Sequence, residues 1–330
     1  MTLQHEEWSG DSLTHRSLTG GPVSMEPFTT DMFVDAVAEG GGVLQPLDQS
    51  TTGLLWVSPS GADELQSVLD AHPGIEWLQL PWAGVDAFSS VLANMARLPE
   101  AQRPVVTSAK GAYSEPVAEH ALALLLGTLR ELPRKSRDAL WQPERTGISL
   151  FGRHIVVLGA GGVARAFLDL VAPFRPTVTV VRRSSGDIPG ASRTVTADHL
   201  HSVLPEADAV VVAAAATDQT AHVMGAEEFR LLPDHAVVVN IARGSLVDAD
   251  ALLEAVSEGR LFGAGLDVMD PEPFPNEHPI WGEKRIVITS HSADTPPMTA
   301  PLLARRIRNN VASYASGGPL VGVVDVAAGY

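Results

Sequence analysis

The chain of 330 residues carries 39 acidic against 23 basic side chains, a net charge of −16, which excludes a general nucleic-acid-binding surface. Hydrophobic residues make up 45% and charged ones 19%. No apolar run is long enough to span a membrane, and no basic-then-apolar leader opens the chain, so neither export nor membrane insertion is expected. Cysteine is absent, which removes disulfides, thiolate chemistry and cysteine-bound metal and agrees with a cytoplasmic protein.

This length suits two domains better than one core. The first ~20 residues are polar and read as an extension. Strands are expected at 22–26, 42–47, 54–57 and 75–80, with helices at 30–39, 61–71 and from about 87. Strand–helix alternation at this spacing predicts a parallel sheet covered on both faces. After a strand at 104–107, residues 114–132 predict a long helix, apolar nearly all round from Ala121 to Leu126 and therefore buried. Residues 134–148 are polar around an isolated Trp141 and read as an arm. A second unit follows, with strands at 155–158, 177–181, 209–214, 236–240, 263–268 and 286–289. Helices are expected near 197–204, 226–231 and 248–258, and a last one at 298–314 is placed to pack back on the first unit.

The organising stretch is Ile155–Ala166, IVVLGAGGVARA. Gly159, Gly161 and Ala164 occupy the three small positions of G-x-G-x-x-G/A. The first permits the tight turn, the second lets a pyrophosphate approach the backbone, and the third packs helix on strand. Gly159, Ala160, Gly161, Gly162 and Val163 are thus candidate cofactor contacts, with the first helical N–H groups facing phosphate.

A dinucleotide fold normally places an acidic residue at the end of the next strand to bind the ribose 2′-hydroxyl. Here, 23 residues beyond Gly159, the chain reads Arg182, Arg183, Ser184. Guanidinium groups suit a 2′-phosphate, so NADP is the expected cofactor, with NAD the alternative.

Other strand ends carry Arg243 in VVVNIARGS, Asp267, Asp270 and Glu272 in GAGLDVMDPEP, and His291 in IVITSHSA. Ligands in open α/β sheets bind at the carboxyl ends of strands, so these residues are candidates for one site. The scattered histidines show no metal-ligand spacing, and no metal is expected.

The order GAGGVA, VNIARG, GAGLDVMDPEP, TSHSA, together with PWAGVDAF (81–88), EPVAEHALALLLG (115–127) and ATDQT (216–220), resembles the D-2-hydroxyacid dehydrogenase family, NAD(P)-dependent reductases of 2-keto acids. The similarity spans most of residues 54–300. It implies an α/β architecture of two doubly wound parallel-sheet domains, a Rossmann cofactor domain inserted into a flavodoxin-like substrate domain. The expected boundaries are 1–108, 109–292 and a return segment 293–330. Two departures stand out: Ser290 where the family has Pro before its catalytic His, and Ser292 where an aliphatic residue is common.

The resemblance implies that Arg243, Glu272 and His291 are catalytic. Their roles would be clamping the substrate carboxylate, orienting the histidine and favouring its imidazolium, and protonating the carbonyl oxygen. It implies substrate contacts from Trp82, Ala83, Gly84 and Val85, nicotinamide contacts from Asp267, and further cofactor contacts from Ala215, Thr217 and Ala242. Domain closure and a homodimer are implied as well, with the 114–132 helix and the Trp141 arm as the contact. The expected substrate is a small 2-keto acid such as glyoxylate or hydroxypyruvate, while Trp82 leaves a bulkier keto acid open. A dinucleotide-sensing scaffold without turnover, corepressor-like, also stays open at this point.

Overall fold

In the computed structural model, which describes Leu18 and residues 20–327, the chain divides into two compact units. One takes the residues up to Tyr113 together with those from Pro296 onward, and the other is Ser114–Thr295. These boundaries fall a few residues after those expected, and nearly all of the expected N-terminal extension lies outside the described residues.

The first unit contains β1 (Val23–Glu26), α1 (Asp31–Glu39), β2 (Gly53–Trp56), α2 (Ala62–Ala71), β3 (Trp77–Gln79), α3 (Ser89–Ala96) and β4 (Val105–Thr107). The second contains α4 (Ser114–Leu129), α5 (Leu132–Lys135), β5 (His154–Leu158), α6 (Gly162–Val171), β6 (Thr177–Arg182), β7 (Arg193–Thr196) and α7 (Leu200–Val203). It continues with β8 (Ala209–Val212), α8 (Ala226–Leu231), β9 (Val237–Asn240), α9 (Ala249–Ser257), β10 (Gly263–Leu266) and β11 (Ile286–Ile288). The chain then returns to the first unit as α10 (Pro296–Ser316).

In the first unit the four strands lie parallel in the order β1-β2-β3-β4. The segment expected as a strand at 42–47 makes only a single parallel bridge, Leu44 to Val23. Glycines 40–42 precede it and Pro46, which has no N–H to donate, ends it after one pairing. That bridge sits on the outer side of β1, so the winding reverses there. Thr30 caps α1, accepting from the Phe33 N–H at 3.3 Å. The fully buried Arg306 of α10 is held by backbone carbonyls, donating from Nη1 to Ser108 at 2.6 Å and from Nη2 to Lys110 at 2.9 Å. A buried guanidinium without such acceptors would be strongly unfavourable.

In the second unit seven parallel strands follow the order β11-β10-β9-β8-β5-β6-β7. Strands β8 (AVVV) and β9 (VVVN) are buried along their whole length, the unbroken pattern that a sheet covered on both faces requires. The winding reverses at β5, where β8 lies on one side and β6 on the other. The glycine turn follows this strand, at the switch point where such sheets bind ligands.

Sequence and structure differ at four points in this unit. The helix predicted over 114–132 stops at Leu129, because Glu131 adopts a left-handed conformation (φ 53°), and the short α5 follows. Nor is α4 buried all round: Ala121, Leu124 and Leu125 are buried against the sheet, while Ala123 is exposed. Edge strand β7 was not anticipated, since its sequence RTVT is polar and only partly buried. The helix expected at 197–204 is one α-helical turn flanked by 3₁₀ turns.

Candidate functional site

The glycine turn is built as its sequence requires. Gly159 has φ +109°, and a Cβ there would lie 2.5 Å from the Ala213 carbonyl oxygen, so only glycine lets the turn close on β8. At Gly161 an added Cβ would meet nothing within 4 Å. That open face lies at the N-terminus of the ten-residue α6, whose N-cap makes no side-chain capping bond. Uncapped N–H groups facing open space at a glycine turn fit a pyrophosphate, with the helix dipole favouring the anion. Ala160 and Val163 are partly buried, and Gly162 and Ala164 buried.

At the end of β6, Arg182 donates from Nη2 to Ser184 Oγ at 2.8 Å, and Arg183 and Ser184 are exposed. A 250 Å³ hollow lined by Ser185, Thr194, Thr196 and His199 adjoins this strand end. After β8, Thr220 Oγ1 donates to the Ala215 carbonyl at 2.9 Å and accepts from the Thr217 N–H at 2.8 Å, closing the 215–220 turn.

Beyond β9, Arg243 is set by the fully buried Asn240. Its side chain accepts from the Ala242 N–H at 3.1 Å and donates to the Arg243 carbonyl at 2.9 Å. Arg243 Nη1 donates to the Ala242 carbonyl at 2.7 Å, so Ala242 is engaged through both its backbone groups. Gly244 follows, and a Cβ there would overlap the carbonyl carbon of Met269 at 1.9 Å. The Arg243 loop and the loop after β10 are thus packed backbone to backbone.

That second loop delivers Glu272. Its Oε1 accepts from the Met269 N–H at 3.1 Å, and its Oε2 accepts from His291 Nδ1 at 2.8 Å. His291 follows β11 in a left-handed conformation (φ 46°), with its N–H donated to the Asp267 carbonyl at 2.7 Å. With Nδ1 held by a carboxylate, Nε2 is the nitrogen left to exchange a proton with a substrate. Positive φ is uncommon for a non-glycine residue and is retained here by the bonds on both sides.

Asp267 is 2% exposed, and its carboxylate has four donors. These are Thr289 Oγ1 at 2.6 Å, the Ser292 N–H at 2.9 Å, the Ala293 N–H at 3.0 Å and His120 Nε2 at 3.3 Å. Burial alone would raise its pKa; the hydrogen bonds from His120, Thr289, Ser292 and Ala293 outweigh it and hold the carboxyl down to about 2. Its oxygens hold the His291 loop.

The loop Trp82–Val85 belongs to the first unit, just beyond β3. Trp82 packs edge-on to Tyr113 at 6.2 Å, and its carbonyl accepts from the Ala109 N–H at 2.9 Å. Ser108 Oγ donates to the Ala83 carbonyl at 3.4 Å, Gly84 is partly buried, and Val85 is in the core.

Sequence reading missed Asn240, His120, Thr289 and Gly244 as supports of the site. Asn240 had a signal, being the polar residue that ends an otherwise apolar strand. His120, the polar interruption of AEHALALLL, had another.

Among known proteins, residues 121–293 match the family described as D-isomer specific 2-hydroxyacid dehydrogenase, NAD binding domain. An uncharacterized protein from the proB 3′ region of Corynebacterium melassecola is 30% identical over 302 residues, 89% of this chain and 95% of that one. The glyoxylate reductase of Pyrococcus furiosus is 29% identical over 64% of this chain and 66% of its own length, just under two thirds. Among solved structures, a D-isomer specific 2-hydroxyacid dehydrogenase from Xanthobacter autotrophicus Py2, crystallised with NADPH and MES, superposes with a TM-score of 0.77. It covers 94% of this chain and all of that one at 24% identity, a likeness of fold.

Proposed function

The chain belongs to the D-isomer specific 2-hydroxyacid dehydrogenase family, and from that premise we propose its reaction: NADPH-dependent reduction of a small 2-keto acid to the D-2-hydroxy acid. Family membership makes it an NAD(P)-dependent dehydrogenase; the glyoxylate or hydroxypyruvate substrate class and the NADPH preference are our reading. The observation that carries it is the His291–Glu272 pair, 2.8 Å apart, in the same set of strand-end loops as Arg243.

The nicotinamide, when bound, supplies the hydride that reduces the keto carbon. Gly159, Ala160, Gly161, Gly162 and Val163 would hold its pyrophosphate, and Arg182, Arg183 and Ser184 its 2′-phosphate. Ala215, Thr217 and Ala242 would contribute through the turns described above. His291 Nε2 gives a proton to the carbonyl oxygen while Glu272 steadies the ring through Nδ1. Arg243 pairs with the substrate carboxylate and polarises the ketone. Trp82, Ala83, Gly84 and Val85 are assigned to substrate binding. We further assign a homodimer in the cytoplasm, with the strongly exposed Trp141 (95%) in the contact.

Two features support the substrate and cofactor choice. The Pyrococcus furiosus relative is a glyoxylate reductase, and a neighbouring fold holds NADPH. At the end of β6 two arginines stand where a carboxylate would reject a 2′-phosphate. The test is oxidation of NADPH and NADH with glyoxylate, hydroxypyruvate, pyruvate and phenylpyruvate. Faster turnover of the small acids with NADPH is expected. Preference for NADH would refute the arginine assignment, and phenylpyruvate as best substrate would refute the small-acid assignment. Cofactor binding without turnover on any acid would replace the enzyme with a dinucleotide-sensing scaffold.

A further inference from the structure

Asp294 lies three residues beyond His291 on the same loop, and the mechanism above does not use it. The backbone before it is fixed, since the N–H groups of Ser292 and Ala293 are bound by Asp267. Its side chain is half-buried, and the charges acting on it are those of His291, Asp267 and Arg243. The three carboxylates of this cluster differ in one respect. Asp267 has four donors and Glu272 has His291 and the Met269 N–H, whereas Asp294 is bonded to its own backbone N–H. Among the described residues it forms no ion pair. Burial raises its pKa, opposed by His291 and Arg243 and reinforced by Asp267, as befits a carboxylate short of partners.

A half-buried negative charge beside the groups assigned to a keto acid has a consequence for which acids enter. The first carboxylate of the substrate is matched by Arg243. With His291 committed to Glu272 and the carbonyl oxygen, a second anionic group tethered a few bonds from the carbonyl finds no further cation among the described residues of this cluster and meets Asp294 instead. We propose that Asp294 determines specificity by charge, disfavouring dianionic 2-keto acids and favouring those whose distal group is neutral, hydroxylated or cationic. This rests on the reductase reading for its substrate class. Unit charges a few ångströms apart at a protein surface repel enough to change affinity by about tenfold or more. Discrimination of this kind works by introducing repulsion against the wrong ligand.

The experiment compares wild type with Asp294→Asn and Asp294→Ser, saturated with NADP⁺. Calorimetric affinities are measured for glycolate, a monoanion, and tartronate, its dianionic counterpart. Both variants should raise the tartronate-to-glycolate affinity ratio by about tenfold. An unchanged ratio in both variants overturns the proposal, as does wild type binding tartronate as tightly as glycolate. Glyoxylate turnover with NADPH reads the reaction separately. Turnover with an unmoved ratio refutes the charge sorting alone, and a shifted ratio without turnover refutes the reductase reading alone. Agreement of two neutral replacements guards against one of them folding poorly.

Discussion

Replacing Gly244 with alanine is the most demanding test of how the site is assembled. The added Cβ would lie 1.9 Å from the Met269 carbonyl carbon, 2.0 Å from its oxygen and 2.4 Å from the Asp270 nitrogen. All three are backbone atoms, so no side chain can rotate away, and reaching ordinary contact near 3.4 Å requires a shift of about 1.5 Å. The shift falls on both loops of the site: Arg243 immediately precedes the new methyl group, and the Met269 N–H is bonded to Glu272 Oε1 at 3.1 Å. Overpacking costs about 1–3 kcal/mol, which for a unit of this size lowers Tm by roughly 2–12 °C. A displacement of about 1 Å in a reacting group costs around a hundredfold in rate. Steady-state kinetics and a thermal melt measure both quantities. Gly127→Ala is the control, because it lies within α4 and its Cβ would meet nothing within 4 Å, so it should be neutral or slightly stabilising. Gly244→Ala with wild-type kcat/KM and an unchanged Tm would refute the claim that these loops are held in mutual register.

His291→Ala should abolish keto-acid reduction while leaving NADPH affinity within a few fold, as read by turnover and by quenching of nicotinamide fluorescence; retained turnover removes the proton-donor assignment. The double substitution of Arg182 and Arg183 by alanine should reduce kcat/KM with NADPH by about 100-fold or more and leave NADH nearly unaffected, since each charge-assisted bond to phosphate is worth about 1.5–3 kcal/mol. Asp267 gives a pH prediction. Its folded pKa of about 2 lies below the ordinary value of 3.8, so its contribution to stability is full above about pH 4 and is lost as pH falls towards 2. That difference amounts to about 2 kcal/mol. Asp267→Asn should therefore be less stable at neutral pH and show a flatter acid limb between about pH 4 and pH 2 in denaturant titrations. An acid limb matching wild type would show that another group carries the effect.

The local signals that sequence carries well are those set by neighbours along the chain. A run such as Ile155–Leu158 before Gly159 and Gly161 states a buried strand and a turn that only glycine allows, because strand burial and positive φ are properties of a few consecutive residues. The positions of Arg243, Glu272 and His291 just past apolar runs were legible for the same reason. Local pattern was a weaker guide at the edges. Strand β7 is too polar to announce itself, and the 42–47 segment is cut short beside Pro46.

Only the tertiary structure decided which of these residues meet. The order β11-β10-β9 puts three strand ends side by side, so residues far apart in sequence become hydrogen-bond partners. That juxtaposition gives Glu272 to His291, packs Gly244 on Met269, and makes Asp267 the buried anchor of the His291 loop, with His120 brought in from α4. A carboxylate's function follows from the donors that surround it. Those donors are supplied by sheet order and helix packing, which no short stretch of the chain contains.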